Sequence, residues 1–165
     1  MPHRSSFLNQ SLSDYLLPTQ VHPQFAVKSK KRSLELAAVQ ISETLNCDDH
    51  QAELLMDGLQ ARERLGSTGI GQGIAVPHCR SSVVNEPSVH LFALENPIDF
   101  DALDGAPVDF LCVLLVPEDA NEVHLQLLRD VIRTFGNPEC RAPLLAAKTP
   151  AVLHQTAIDL FERLA

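Results

Sequence analysis

The sequence has few basic residues and no long apolar run, and each shortage excludes a class of protein. The 13 lysines and arginines are outnumbered by 21 aspartates and glutamates, which gives a net charge of −8. Nucleic acid is excluded as the main partner, because phosphate binding needs a basic face. The longest strongly apolar run, residues 110–116, is far shorter than the roughly 20 residues that cross a bilayer. The N-terminus has no apolar signal segment, so we expect a cytoplasmic protein that is not embedded in a membrane.

Cysteine is also scarce. The four cysteines are Cys47, Cys79, Cys112 and Cys140, and no Cys-x-x-Cys pair occurs among them. This spacing predicts neither a disulfide framework nor a zinc ribbon. Cys112 lies inside an apolar run and is expected to be a small core residue. Cys79 follows His78, so a Cys–His hydrolase is one alternative, although consecutive residues of a strand point to opposite faces.

The length of 165 residues and the hydrophobic fraction of 45% are those of one globular domain. We expect a flexible tail over residues 1–10 and a single domain over residues 11–165. Apolar residues at helical spacing, with capping residues and prolines at helix starts, predict five helices. They cover residues 30–45, 48 to near 66, 121–135, 137–147, and 149 to near the C-terminus.

Strands are predicted between these helices. The apolar segments that we interpret as strands are residues 74–77, 88–94 and 108–116, preceded by a short helical turn within 11–17 and an extended segment at 20–27. The segment 108–116 is nearly all apolar, as expected for a strand that is buried on both faces. The fold class is therefore α/β: a single-domain sandwich whose central mixed β-sheet is flanked by helices on both sides.

The most informative segment is Thr-Gly-Ile-Gly-Gln-Gly-Ile-Ala-Val-Pro-His, from Thr68 to His78. A glycine-rich turn leads into a short apolar strand, and Pro77 pushes the residue before it into extended conformation. His78 is expected to project from a stiff strand end, where its imidazole suits nucleophilic or acid–base chemistry. The glycine spacing is neither a P-loop nor a dinucleotide fingerprint. From spacing alone, a histidine in this position is more often a hydrogen-bonded structural residue than a nucleophile.

A second histidine, His124, lies near the start of a predicted helix on its apolar side. It is either a residue at the edge of the core or a residue that meets His78 across a cleft. Two histidines in one pocket could bind a metal ion, but a third ligand at short spacing is missing, so no metal site is predicted.

Three ordered motifs carry a resemblance to a known family. They are Arg-Glu-Arg-Leu-Gly-Ser-Thr-Gly-Ile-Gly-Gln-Gly-Ile-Ala-Val-Pro-His at residues 62–78, Pro-Ile-Asp-Phe-Asp-Ala-Leu-Asp-Gly-Ala-Pro-Val-Asp at 97–109, and Leu-Val-Pro-Glu-Asp at 115–119, which is followed by His124. The chain closely resembles enzyme IIA of the bacterial phosphoenolpyruvate-dependent phosphotransferase system, in its fructose, mannitol and nitrogen-regulatory branch. The resemblance covers roughly residues 10–160.

This resemblance implies that His78 accepts a phosphoryl group on Nε2 from the phosphohistidine of an HPr-like carrier. It places Arg62 and His124 beside His78 as the other active-site residues. The guanidinium of Arg62 suits the transferring oxygens, and no metal, nucleotide or other cofactor is required. Backbone N–H groups around Gly71, Gln72 and Gly73 are expected to contribute to the phosphate environment.

Two positions bear on the branch of the family. Cys79 replaces a common glycine, so a docking or redox role is open for it. Gln72 is an amide where mannitol-type members tend to carry a carboxylate, which favours the nitrogen-regulatory branch. For a protein of that branch, we expect the binding of regulatory targets, such as transporters or sensor kinases, to depend on phosphorylation. The alternatives are a sugar-specific IIA that passes phosphate to a IIB domain, and a binding module that signals without phosphorylation.

Overall fold

The computed structural model describes residues 12–164, so the tail predicted over residues 1–10 lies outside the described residues. Two 3₁₀ turns, Leu12–Asp14 and Pro18–Gln20, precede the sheet. The strands are β1 (Val21–Phe25), β2 (Gly69–Gly71), β3 (Ile74–Ala75), β4 (His78–Arg80), β5 (Ser88–Ile98) and β6 (Val108–Val116). The α-helices are α1 (Lys30–Thr44), α2 (Asp49–Leu65), α3 (Glu122–Phe135), α4 (Pro138–Ala146) and α5 (Pro150–Leu164).

The predicted helices are confirmed, and their starts are set by local side-chain chemistry. Ser29 caps α1, and its hydroxyl oxygen accepts a backbone N–H 3.1 Å away. Asp48 and Gln51 form both hydrogen bonds of a capping box at the start of α2. Asn121 and Asn137 cap α3 and α4, each with a side chain that accepts one backbone N–H. These caps satisfy backbone donors that have no partner inside the helix, which is why the sequence alone located the helix starts.

The sheet is mixed, as predicted. Its strand order is β1-β5-β6-β3-β2, and β4 also pairs with β6. β1 is parallel to β5, β5 is antiparallel to β6, β3 and β4 are parallel to β6, and β2 is antiparallel to β3. β6 is therefore the central strand, with β5 on one side and β3 followed by β4 on the other.

The strand predicted at residues 74–77 is longer than expected and is interrupted. β3 and β4 pair with β6 in one continuous register, and the break lies between them. Pro77 has no N–H to donate, but its carbonyl oxygen accepts from the backbone N–H of Leu114 at 2.9 Å. His78 is therefore not at the end of a strand, as the sequence indicated, but is the first residue of β4, within the pairing to β6.

The core forms two layers, one on each face of the sheet. All of β6 is buried, and its side chains alternate between two apolar clusters. Phe110, Cys112 and Leu114 face the cluster that includes α3, α4 and α5, whereas Leu111, Val113 and Leu115 face α1 and α2. Among the described residues, no helix is both long and apolar enough to cross a membrane.

Two neutral histidines lie on the α1/α2 face of the sheet. The ring of His22 stacks on Phe92 with a centroid separation of 4.6 Å. His90 is completely buried; its Nε2 lies 2.7 Å from the hydroxyl of Ser88, and its Nδ1 has no hydrogen-bond partner among residues 12–164. Burial lowers the pKa of His22 to about 4 and that of His90 to about 3, with His22 contributing to the second shift.

We expect the protein to lose stability as the pH falls from about 6.5 toward 4. In this window the unfolded chain protonates both histidines and the folded protein does not, so protons favour unfolding. For the fully buried His90 the slope is at most about 1.4 kcal/mol per pH unit, and the half-buried His22 adds less in the same direction. Urea unfolding of the wild type, His90→Gln and the exposed control His50→Gln at pH 7.5, 6 and 5 measures the slope. An identical slope in wild type and His90→Gln contradicts the prediction.

Candidate functional site

His78 and Cys79 point to opposite faces of the sheet. Among the described residues, β4 pairs only with β6. His78 lies opposite Leu114, and Cys79 lies opposite Leu115. Because directly paired residues share a face, His78 is on the α3–α5 side and Cys79 is on the α1/α2 side. This arrangement does not support a Cys–His hydrolase.

The imidazole of His78 is held by the backbone two residues earlier. Its Nδ1 lies 2.7 Å from the carbonyl oxygen of Val76, and the side chain is half-buried. A carbonyl oxygen only accepts, so Nδ1 carries the proton of this hydrogen bond. In the neutral ring the lone pair is then on Nε2, which is the nitrogen left free to act as a nucleophile or base.

Cys79 has the properties of a packing residue. A Cβ atom placed on Gly58 of α2 would lie 3.2 Å from its Sγ, so the thiol fills the space that this glycine leaves. Burial raises the pKa of the Cys79 thiol to about 11. The thiolate is the reactive form, and at neutral pH it is scarcely populated here.

Arg62 lies on the face of α2 that meets β4, which is the α1/α2 side of the sheet, so it approaches the His78 side around the edge of β4 that pairs with no strand among the described residues. It is one helical turn beyond Gly58, and residues four apart share a helix face. Its Nη1 donates to the carbonyl oxygen of Gly66 at 3.0 Å, and among the described residues it makes no hydrogen bond to His78. An arginine has five donors, so this bond anchors the side chain and leaves most of its donors for a ligand.

His124 follows the carboxyl end of β6, where β4 also runs. A hydrogen bond of 3.1 Å from Arg80 Nη1 to the carbonyl oxygen of Glu118 ties β4 to the segment that precedes α3. Asn121 caps α3 by accepting from the backbone N–H of His124 at 3.0 Å. His124 and His78 thus lie near the same end of β6, and α3 packs on the face that carries His78.

The ring of His124 has a nitrogen without a hydrogen-bond partner in the described part of the chain. Its Nδ1 is buried and has no hydrogen-bond partner within residues 12–164. A buried N–H without an acceptor is costly, so of the two neutral tautomers the one with its proton on Nε2 fits this environment. Within the same residues, no three His, Cys, Asp or Glu side chains cluster in a way that could hold a metal ion.

The structure does not bring Gly71, Gln72 and Gly73 to His78, which departs from the expectation for the phosphate environment. These residues form the tip of the β2–β3 hairpin, beside the first residues of β6. At about 3.3 Å per residue along the strand, Gly73 lies roughly 16 Å from His78. The backbone N–H of Gln72 is also occupied, because it donates to the carboxylate of Asp104 at 2.9 Å.

The glycines of the β2–β3 hairpin have a packing role instead. A Cβ on Gly69 would lie 2.8 Å from the Cβ of Ala102, and one on Gly73, where φ is +83°, would lie 2.5 Å from Nε of Arg141. The Arg141 guanidinium is paired with Asp109. The second motif, residues 97–109, packs so close to the first that the first needs glycine at these positions. Contact between the two segments therefore accounts for these glycines.

The structure adds one residue that the sequence did not single out. Glu63 is only 8% exposed, and its carboxylate is bonded to Lys30 and Thr68. Between Arg62 and Arg64 in the sequence it looks like part of a solvated helix face, so no local signal distinguishes it.

Comparison with known proteins gives a consistent result. A family model described as "Phosphoenolpyruvate-dependent sugar phosphotransferase system, EIIA 2" matches residues 14–158. A nitrogen regulatory protein of Pseudomonas aeruginosa is 47% identical over 132 residues, which are 80% of this chain and 84% of that protein. The nitrogen regulatory protein of Escherichia coli K12 is 36% identical over 156 residues, or 94% and 89% of the two chains. A crystal structure of the nitrogen regulatory protein IIA-Ntr from Neisseria meningitidis has a TM-score of 0.78 at 31% identity, and the match covers 88% of this chain and 98% of that one.

Proposed function

Because the chain belongs to the EIIA type 2 family of the phosphoenolpyruvate-dependent sugar phosphotransferase system, we propose that His78 accepts a phosphoryl group from the phosphohistidine of an HPr-like carrier. The protein is a phosphocarrier component of that system with a regulatory role. The observation that carries the assignment to His78 is the 2.7 Å hydrogen bond between its Nδ1 and the Val76 carbonyl oxygen, which supports Nε2 as the acceptor.

The proposed step is an in-line exchange between two imidazoles. The Nε2 lone pair of His78 forms the new bond to phosphorus as the bond from phosphorus to the donor imidazole breaks. The electron pair of the broken bond returns to the donor ring, and the proton on Nδ1 of His78 stays on that nitrogen, hydrogen-bonded to the Val76 carbonyl oxygen. Such a transfer depends on positioning and on stabilising the charge of the three equatorial oxygens, so no metal ion or nucleotide enters the step.

Two further side chains are assigned to those oxygens. The free donors of Arg62 provide a permanent positive charge in a planar fork, which matches phosphate geometry. His124 donates from Nε2, in keeping with its buried and unpartnered Nδ1. We assign His124 the weaker role, since it offers one N–H to the phosphate, whereas a guanidinium offers several together with a permanent charge.

The nitrogen-regulatory branch is the better supported role. Both curated relatives described above are nitrogen regulatory proteins, and the sugar-specific alternative is less supported. Phosphorylation adds about −1.5 to −2 charges to a protein that already carries −8, so it can repel one partner and favour another. We propose that the protein acts in the cytoplasm and that regulatory targets, such as transporters or sensor kinases, distinguish the two forms in this way.

A reconstituted phosphorylation reaction tests the proposal. The protein is incubated with phosphoenolpyruvate, an enzyme I and an HPr-like carrier, and the product is analysed by mass spectrometry at neutral pH. We expect the mass gain of one phosphoryl group, stable in base, labile in acid and located on His78. A wild-type protein that gains no phosphoryl group contradicts the proposal. Rapid onward transfer to a fructose-type IIB domain would instead favour the sugar-specific alternative.

A further inference from the structure

Glu63 is a buried carboxylate of α2 whose partners lie on two other segments. Its side chain is 6% exposed, and Lys30 Nζ of α1 lies 2.9 Å from Oε1. Thr68 donates to it twice, from the backbone N–H at 3.0 Å and from the hydroxyl at 2.6 Å. Burying a carboxylate is costly unless its oxygens are paired and hydrogen-bonded, and here they are. The cluster therefore fixes the end of α2 to the start of the glycine-rich turn.

From Thr68 a short series of backbone contacts leads to His78. The carbonyl oxygen of Thr68 accepts from the N–H of Val76 at 2.9 Å. The carbonyl oxygen of Val76, in turn, accepts from Nδ1 of His78 at 2.7 Å. On the other side of Glu63 is Arg62, the neighbouring residue of the same helical turn. Glu63 thus links the helix that carries Arg62 to the segment that orients the imidazole.

We propose that Glu63 is a positioning residue. Through Thr68 it holds Arg62 and the His78 ring in the relative position that phosphoryl transfer requires. This inference rests on the proposed function, since it concerns the same site. β6 already fixes the backbone of β4 from one side, by pairing at His78. Thr68 supports Val76 from the other side, and its two bonds to a charged acceptor are stronger than bonds between neutral groups. Catalysis that depends on positioning is sensitive to displacements of about 1 Å, which can lower a rate by about 10²-fold.

Single-turnover transfer from the phosphorylated carrier tests this role. Glu63→Gln removes the charge and one acceptor, and Thr68→Val removes only the hydroxyl, in case the first variant folds poorly. We expect both to lower the maximal rate, Glu63→Gln by about 10²-fold, with the KM for the carrier unchanged because no docking surface is altered. Thr68→Ser, which keeps the hydroxyl, is expected to retain nearly the wild-type rate.

A destabilised control separates positioning from folding. Ser33 is fully buried in α1 and its hydroxyl donates to the Lys30 carbonyl oxygen at 2.7 Å, so Ser33→Ala weakens the same region without touching Thr68. Rates are compared at equal folded fraction, measured by urea unfolding. If Glu63→Gln slows transfer no more than Ser33→Ala does, the proposal is overturned. It is also overturned if Glu63→Gln lowers the transfer rate by the same factor in an Arg62→Ala background as in the wild type.

The tautomer of His78 gives a readout that needs no transfer reaction. Ring ¹⁵N shifts of the unphosphorylated protein are expected to show the Nδ1–H form in the wild type and in Ser33→Ala. They are expected to show a growing Nε2–H form in Glu63→Gln and Thr68→Val. Unchanged spectra in both variants overturn the role of Glu63. If the wild type accepts no phosphoryl group, the proposed function fails separately, and these spectra still decide the positioning role.

Discussion

His78→Ala is expected to accept no detectable phosphoryl group from the phosphorylated carrier. The substitution removes the nucleophilic nitrogen, whereas the sheet that holds β4 keeps its backbone pairing with β6. His78 is half-buried, and within residues 12–164 its side chain makes one hydrogen bond, to Val76, so the variant is expected to fold. Mass spectrometry of the intact protein at neutral pH, after incubation with the carrier system, measures the loss.

Two matched histidine variants accompany this experiment. His50 is exposed at the start of α2, and His50→Ala is expected to be phosphorylated at the wild-type rate. His124→Ala is expected to be phosphorylated more slowly but to completion, because it removes a donor to the phosphate and not the acceptor. Full phosphorylation of His78→Ala would refute the assignment of His78, and complete loss in His124→Ala would refute the division of roles.

Arg62→Ala is expected to slow phosphoryl transfer by about 10²–10³-fold, the effect of removing one preorganised electrostatic group from a reacting centre. The guanidinium is the only positive charge that we assign to the transferring oxygens. Arg62→Lys is expected to recover a part of the rate, since a lysine supplies charge without the planar fork. Rapid-quench measurement at saturating carrier concentration separates this loss from a change in docking.

Arg64 is the matched control for this charge. It lies two residues further along α2, is exposed, and makes no hydrogen bond or ion pair within the described part of the chain. Arg64→Ala changes the net charge as much as Arg62→Ala does and is expected to leave the maximal rate close to that of the wild type. Equal losses in the two variants would mean that overall charge, and not Arg62, assists the transfer.

The elements that the sequence located correctly are those with local signals. A capping box at Asp48 and Gln51, and capping residues before α1, α3 and α4, depend on contacts between residues three apart or closer. β2 was missed because Gly-Ile-Gly has no alternating pattern, and β4 was missed because it follows Pro77. Both short strands exist because a neighbouring strand supplies their hydrogen bonds, and no local pattern records that.

The glycine-rich turn shows how a correct motif can lead to a wrong placement. We expected backbone N–H groups around Gly71, Gln72 and Gly73 to contribute to the phosphate environment, whereas in the structure Gly73 accommodates Arg141 and the N–H of Gln72 donates to Asp104. Those partners are distant in the chain, so their contacts with the turn could not be read from its spacing.

The amino-acid order was sufficient to give the α/β class, the helix starts and the family motifs, because each of these depends on neighbouring residues. It also singled out the imidazole of His78, and its role as the phosphoryl acceptor stays a prediction. Folding alone decided which way that ring faces, which of its nitrogens is occupied, and that the Glu63 carboxylate is buried. Those properties arise from strand register and from hydrogen bonds between segments far apart in the chain, and register is fixed only when the two faces of the sheet are packed.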